Sequence, residues 1–293
     1  MVSKIEGIRF FSERAKDIAK ACCREAMLQI SPTRISRRNI RFSLLQSEEI
    51  RPGGPLLLEQ DIREIADEFG LSSVSVQSYP HGNAAGMNAI WDGQRQLEED
   101  PNSLQIILGL DSLLQLQTLA YLEKANRLKS ASCKRGLIPG EACACVILEN
   151  SAVFPKMRDQ EYCTLVNTYS TEENAPMASD EPCLGQGLTD AIFGALEAVN
   201  WSSDAIIQVY CDLNGEVYRA HEWMLAHCRT LNDPIVSHPA DCIGDIGAAF
   251  CPLLICWAAI AFERGYAKSD NALIFCSSDG GLRGAICLER TTS

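Results

Sequence analysis

A run of small residues, Pro80-His81-Gly82-Asn83-Ala84-Ala85-Gly86, joins a strand pattern to a helix pattern, and it constrains the fold more than any other stretch. Ahead of it, Ser73 to Tyr79 shows the period-2 pattern of a buried or half-buried strand. Behind it, Met87, Ile90, Trp91 and Leu97 recur at helical spacing up to Glu98-Glu99-Asp100-Pro101. Small residues at such a junction let the helix N-terminus pack close against neighbouring backbone. Asn83 is placed to cap that helix, its side-chain oxygen accepting orphan N–H groups. Elbows of this kind present a reactive side chain at a helix N-terminus, where a thiolate or oxyanion is stabilised. Here the side chain presented is an amide, which is no nucleophile.

In chain order, Ser12 to Ile30 reads as an amphipathic helix capped by Ser12, and Ser31 to Arg51 reads as irregular up to the turn Pro52-Gly53-Gly54-Pro55. A helix over Gln60 to Phe69 stops at Gly70. Leu104 to Leu110 is an expected buried strand ending in Asp111-Ser112, Leu116 to Leu128 a helix, and Ala142 to Glu149 a strand. The second half repeats the plan. Strands are expected at Glu161 to Tyr169, Ala205 to Cys211, Pro234 to Ser237, Ala272 to Cys276 and Gly284 to Leu288. Helices are expected at Thr189 to Val199, Glu216 to Arg229 with Trp223 and Leu225 inside, and from about Ile246, after a loop from His238 to Gly244.

The halves correspond as a weak repeat. Gly82 to Gly86 parallels Gly244 to Ala249, Leu104 to Ser112 parallels Ala272 to Gly280, and Gly140 to Val146 parallels Gly281 to Leu288. The expected division is 1–150 and 151–293. Strands separated by helices predict mostly parallel pairing with helices on both faces, and two such copies facing each other make α/β/α/β/α layers.

A net charge of −12 and a pI near 4.9 argue against nucleic acid or an anionic membrane as partner. The basic cluster Arg34, Arg37, Arg38 and Arg41 reads as a solvated or interface loop. The 14 cysteines lie largely in apolar patterns, with no Cys-x-x-Cys, so they read as small hydrophobes, and neither a metal nor another cofactor is expected. The apolar run from Phe250 to Phe262 is shorter than the roughly 20 residues of a membrane span. The first residues carry no apolar leader run, and with so many free thiols this predicts a cytoplasmic protein.

Several segments, in order, resemble the β-ketoacyl synthases of the thiolase fold. Gly86-Met87-Asn88-Ala89-Ile90 looks like the start of their nucleophile helix, and Gly109-Leu110-Asp111-Ser112 like their Gly-Gly-x-(Asp/Glu)-Ser turn. Gly136 to Ala142 followed by Val146 to Glu149 is similar to their Gly-Glu-Gly-Ala strand. Gly244 to Ala249 resembles their Gly-His-x-x-Gly-Ala-Ala turn, one residue shorter, and Ser278-Asp279-Gly280-Gly281 their closing glycine turn. The resemblance implies an α/β thiolase-like layered fold from two pseudo-repeated halves.

It does not carry the chemistry over. The family's nucleophilic cysteine falls on Asn83 and its two histidines on Asp212 and Asp245, so an amide and two carboxylates stand where a thiolate and two oxyanion donors are required. Asn83 and Asp245 suit helix caps instead. Cys211 and Cys242 lie close to these positions and are the candidates for a displaced nucleophile, with His238 nearby; they read otherwise as buried small residues, and His238, like His81, as a hydrogen-bonded loop histidine. Glu222-Trp223 reads as a surface-to-core helix pair. The connections are short for a ketosynthase, which leaves little to enclose an acyl chain.

The expected role is therefore a non-catalytic scaffold or adaptor with a protein partner, a homodimer or a heterodimer with a related subunit. Resemblance of Asp212 to Ala220 and of His238 to Asp245 to the short ketosynthase-like proteins encoded beside type VI secretion effectors suggests help in effector loading. The alternative is an acyl-thioester condensing enzyme that uses a displaced cysteine.

Overall fold

The computed structural model describes residues 11–30, 38–71, 73–153 and 163–291. Helix α1 (Phe11–Leu28) is followed by β1 (Ile40–Leu45), α2 (Glu59–Glu68) and β2 (Val74–Tyr79). A short 3-10 turn, Gly82–Ala84, opens α3 (Ala85–Glu99); β3 (Leu104–Ser112), α4 (Leu116–Lys124) and β4 (Glu141–Leu148) complete the first half. The second half runs β5 (Cys163–Glu172), α5 (Gln186–Glu197), β6 (Gln208–Cys211), α6 (Val217–Thr230), β7 (Ile235–Ser237) and α7 (Ala240–Ile243). A second 3-10 turn, Gly247–Ala249, then opens α8 (Phe250–Glu263), followed by β8 (Asn271–Ser277) and β9 (Leu282–Arg290).

The strands form two sheets, ordered β2-β1-β3-β4 and β5-β9-β8-β6-β7. Counted from the start of each half, the shared order is the same, with no counterpart of β5 in the first sheet among the described residues. Side-chain alternation distributes each strand between two cores. Cys143, Cys145 and Ile147 of β4 pack with α1 and α2, whereas Ala142, Val146 and Leu148 face α3 and α8. In β8, Leu273 and Phe275 pack towards α5 and α6, whereas Ala272, Ile274 and Cys276 face the central helices. The result is five layers, with α3 and α8 buried between the sheets. They pack tightly at Gly86, where a Cβ would lie within about 2.5 Å of the Cys251 side chain. Gly86→Ala should therefore cost roughly 1–3 kcal/mol by overpacking. A chemical-denaturation midpoint equal to the wild type would contradict this tight contact.

Several expectations change. The segment from Ser31 to Arg51 contains a central strand: Ile40, Phe42 and Leu44 of β1 are buried beneath α1 and α2. Arg34 and Arg37 lie outside the described residues, as do the Ser12 side chain and the expected start of β5 at Glu161. Arg38 is no solvated loop residue. It donates to the carbonyls of Asn102 (2.9 Å) and Ser103 and pairs with Glu149, while Arg41 lies within β1. Helix α4 stops at Lys124 because Asn126 takes a left-handed conformation, φ 55°.

Pairing is mixed. β1 is parallel to β2 and β3, and β6 to β7 and β8; β4 runs antiparallel to β3, and β9 antiparallel to β5 and β8. The turn Ser278 to Gly281 is too short for a parallel crossover, which needs about a dozen residues.

The internal repeat is also shifted. Both 3-10 turns start on a left-handed glycine, Gly82 at φ 65° and Gly247 at φ 53°, so Gly82 corresponds to Gly247 and not to Gly244. No helix among the described residues is long and apolar enough to cross a membrane.

Candidate functional site

The elbow at Gly82–Ala84 faces the ends of β6 and β8 across the junction of the halves. Asn83 does not cap α3: the N-cap is Ala84, with no side-chain cap bond. Its Nδ2 instead donates to Asp212 Oδ2 at 3.1 Å. The same oxygen accepts the Ser277 N–H at 3.0 Å and Arg219 Nη1 at 3.0 Å. Arg219, on the first turn of α6, also donates to the Ser277 carbonyl and, through Nη2, to Asp279 Oδ1 at 3.1 Å. Arg127, just past α4, grips Glu216 with two bonds of 2.7 and 2.8 Å and Asp279 with bonds of 2.6 and 3.2 Å. Asn214 links Glu216 (2.9 Å) to Asp245 Oδ2 (2.6 Å), whose Oδ1 accepts the Gly247 N–H at 2.9 Å. Asp245 thus holds the second 3-10 turn but, like Asn83, is not the N-cap of the helix behind it, which is Ala249.

Two further bonds tie each half to the elbow of the other. Ser278 Oγ accepts the Ala84 N–H at 2.9 Å, and Asp111 Oδ2 accepts the Ala248 N–H at 2.9 Å. Arg51 pairs with Asp111, and Glu48 Oε1 accepts the Gly280 N–H at 3.0 Å.

Carboxylates outnumber guanidiniums here. Burial pushes the carboxyls of Asp212, Asp245 and Glu48 above their ordinary range, with Arg219 opposing the shift at both aspartates. Asp279 goes the other way: burial raises it, but Arg219 and Arg127 outweigh burial and hold it below the usual value. Among the described residues, two buried groups of the network make no hydrogen bond: Arg219 Nε, 3.9 Å from Glu216 Oε2, and the Ser277 hydroxyl. The space left among Glu48, Arg51, Asn83, Arg127, Arg219 and Asp279 is about 40 Å³, enough for roughly three waters.

The structure brings Asn83, Asp212 and Asp245 into one network and leaves the other candidates out of it. Cys211 is fully buried with Val209, Leu273 and Phe275 on the far side of the second sheet, and burial pushes its thiol far up. Cys242 is exposed on α7. His238 Nδ1 faces Asp241 at 3.3 Å, and His81 is exposed, with only its carbonyl engaged by Ser278 Oγ. Glu222 is not at a surface: it is 1% exposed and accepts Arg283 Nε at 2.6 Å. Glu173, Cys183 and Glu222 bring ligand atoms within 4.8 Å of one another. Their donors are already engaged, Glu222 by Arg283 and Glu173 by the N–H groups of Gly187 (2.9 Å) and Ala175 (3.2 Å).

Of the network's framework, Arg127 was not singled out from the sequence, and Glu216, Arg219 and Asp279 stood there only within motif runs, with no site role. Charged residues at helix starts and turns look solvated until the fold stacks them.

No protein-family profile and no curated protein sequence matches the chain. Solved structures do. A type II polyketide ketosynthase in complex with its acyl-carrier protein superposes with TM-score 0.77 at 15% identity, over 99% of this chain and 88% of that one. A β-ketoacyl synthase from Burkholderia phymatum gives TM-score 0.72 at 13% identity, over 96% of this chain and 82% of that one. The ketosynthase from module 6 of the Bacillus subtilis bacillaene synthase gives TM-score 0.72 at 10% identity, over 96% of this chain but 59% of the other. The fold of this chain is the thiolase-type fold of the ketosynthases.

Proposed function

We propose that this chain is a non-catalytic member of the thiolase fold that works by binding another protein. The observation that carries the reading is the Asn83–Asp212–Arg219 cluster. A ketosynthase needs a thiolate and free hydrogen-bond donors at its elbow. Here an amide is hydrogen-bonded to a buried carboxylate, and the arginine beside it is committed to Asp212, Asp279 and a carbonyl. A developing oxyanion would meet Asp212 and Asp245 instead of donors. The competing reading, a condensing enzyme with a displaced nucleophile, finds Cys211 buried behind the sheet and Cys242 outside the cleft lining.

Acyl-CoA and an acylated carrier protein should leave the intact mass of the protein unchanged, and Asn83→Cys alone should not restore turnover. Stoichiometric acylation of any cysteine would overturn the proposal.

A protein partner fits the acidic surface, which favours a basic or neutral one, and one structural neighbour is itself a ketosynthase held by a carrier protein. Pairing with a second thiolase-fold subunit uses β2, an outer strand of the first sheet whose Ser75 and Gln77 are exposed and whose Val74 and Val76 are half-buried. Ser75→Lys with Gln77→Lys should convert a dimer to a monomer by light scattering with little change in stability. A wild type that is monomeric at micromolar concentration and captures no related subunit refutes this pairing. Assistance to type VI effector loading is the finer form of the proposal, checked by co-purification of effectors from the native host. Loss of effector secretion only in variants with an altered surface, and not in Asn83→Ala, would favour it.

A further inference from the structure

On a chain of net charge −12, the stretch from Lys124 to Gly140 holds no acid, and five of the 26 basic residues fall within its first twelve positions: Lys124, Arg127, Lys129, Lys134 and Arg135. Glu123 is the single acid between Asp111 and Glu141. The fold divides these five cations. Arg127 turns inward to Glu216 and Asp279. Lys124, Lys129, Lys134 and Arg135 are exposed, and none of the four forms an ion pair among the described residues.

Backbone contacts hold the loop that carries them. At its base Leu128 and Leu137 pack with Leu113 and Leu122. There the Lys129 N–H donates to the Leu137 carbonyl and the Leu137 N–H to the Arg127 carbonyl, both at 2.8 Å. At its tip the Ser130 N–H donates to the Cys133 carbonyl (2.8 Å) and the Cys133 N–H to Ser130 Oγ (3.0 Å). Gly136 lets the two arms close, since a Cβ there would lie 2.4 Å from the Arg127 carbonyl oxygen. The loop backbone therefore has little freedom left to lose on binding. Apolar surface adjoins it. On α4, Leu116, Ala120 and Lys124 follow at i, i+4 and i+8 and are all exposed, Leu116 at 85%. Tyr121 and the exposed Ile50 line the mouth of the cleft with Arg127.

We propose that α4 and the Lys124–Arg135 loop dock an acidic amphipathic segment of a partner protein, its apolar face on Leu116 and Tyr121 and its carboxylates on the four exposed cations. This rests on the reading of the chain as a binding protein and adds a surface opposite in sign to the rest of the chain. The surrounding acidic surface repels such a segment everywhere else, which concentrates and orients it here. A short segment covers the patch alone. An extended polyanion, nucleic acid or anionic bilayer, would also meet the remaining acidic surface.

The probe is a fluorescein-labelled peptide of about 15 residues with leucines on one helical face and glutamates on the other, titrated with the full chain and read by fluorescence anisotropy. The wild type should bind it, and more weakly as salt rises from about 50 to about 300 mM. Lys129→Glu with Lys134→Glu and Arg135→Glu should weaken binding roughly tenfold. Leu116→Ser should weaken it by a similar factor, through lost apolar contact. Arg264→Glu with Lys268→Glu, at exposed positions beyond the far end of α8, should leave it unchanged. Circular dichroism verifies that each variant is folded. Lack of peptide binding at about 100 μM, or binding that the triple variant keeps, would overturn the proposal. So would equal binding of polyglutamate, tighter binding of a single-stranded oligonucleotide or of anionic vesicles, or salt-sensitive self-association that the triple variant loses. Acylation of a cysteine by acyl-CoA would sink the non-catalytic reading and leave these titrations standing.

Discussion

Replacing Arg219 by methionine should lower the melting temperature by roughly 10 °C. Arg219 is 4% exposed and is the guanidinium shared by Asp212 and Asp279, with Asp212 itself 1% exposed. Removing one partner of a buried ion pair leaves a desolvated charge and costs about 3–5 kcal/mol; each kcal/mol shifts a protein of about this size by roughly 2–4 °C.

The loss should depend on pH with a defined sign. Burial raises the folded carboxyls of Asp212, Asp245 and Glu48, so the folded state holds those protons more tightly than the unfolded chain. Stability from their protonation is complete below the unfolded values, about 4, and fades as pH rises through the higher folded values. Asp279, held low by Arg219 and Arg127 against burial, contributes in the opposite sense, above its unfolded value and less as pH falls through the folded one. Without Arg219, Asp212 rises further and Asp279 loses its depression. The gap between variant and wild type should then narrow from pH 7.5 to pH 5. A gap that stays constant or widens would refute the network as drawn.

The second large effect belongs to the pair behind the cleft. Arg283 is 0% and Glu222 1% exposed. Arg283 donates to Glu222 Oε1 (2.6 Å), the carbonyls of Ser278 (2.5 Å) and Leu282 (3.1 Å), and the Tyr218 hydroxyl (3.0 Å). Arg283→Met strands the Glu222 charge and should cost about 3–5 kcal/mol. Adding Glu222→Gln should return part of that loss, because a neutral amide costs less to leave buried than an anion. The effect should reach the elbow, since Ser278 accepts the Ala84 N–H. Urea denaturation of the two single variants and the double variant measures the coupling. A double variant no more stable than Arg283→Met would show that the lost carbonyl contacts, not the unpaired charge, dominate.

The fold was legible where its signal is local. The short apolar run of Leu104 to Leu110, helical spacing after Gly86 and the left-handed glycine behind α2 are signals carried within each segment. β1 escaped because Arg41 and Ser43 interrupt a short run and no turn signal precedes Ile40; the alternation of Ile40, Phe42 and Leu44 was the cue available. Asn83 and Asp245 looked like caps because Asn and Asp favour helix starts, yet the elbow bonds were already supplied across the junction by Ser278 and Asp111.

The sequence by itself determined most of the strands and helices and the amide that Asn83 places at the elbow, because each is written within a dozen neighbouring residues. The tertiary structure decided what the elbow became. Glu48, Asn83, Arg127, the stretch from Asp212 to Arg219, and Asp279 are far apart along the chain and become neighbours only when two sheets close on α3 and α8. Burial then makes their charges interact strongly enough to fill the site with one another.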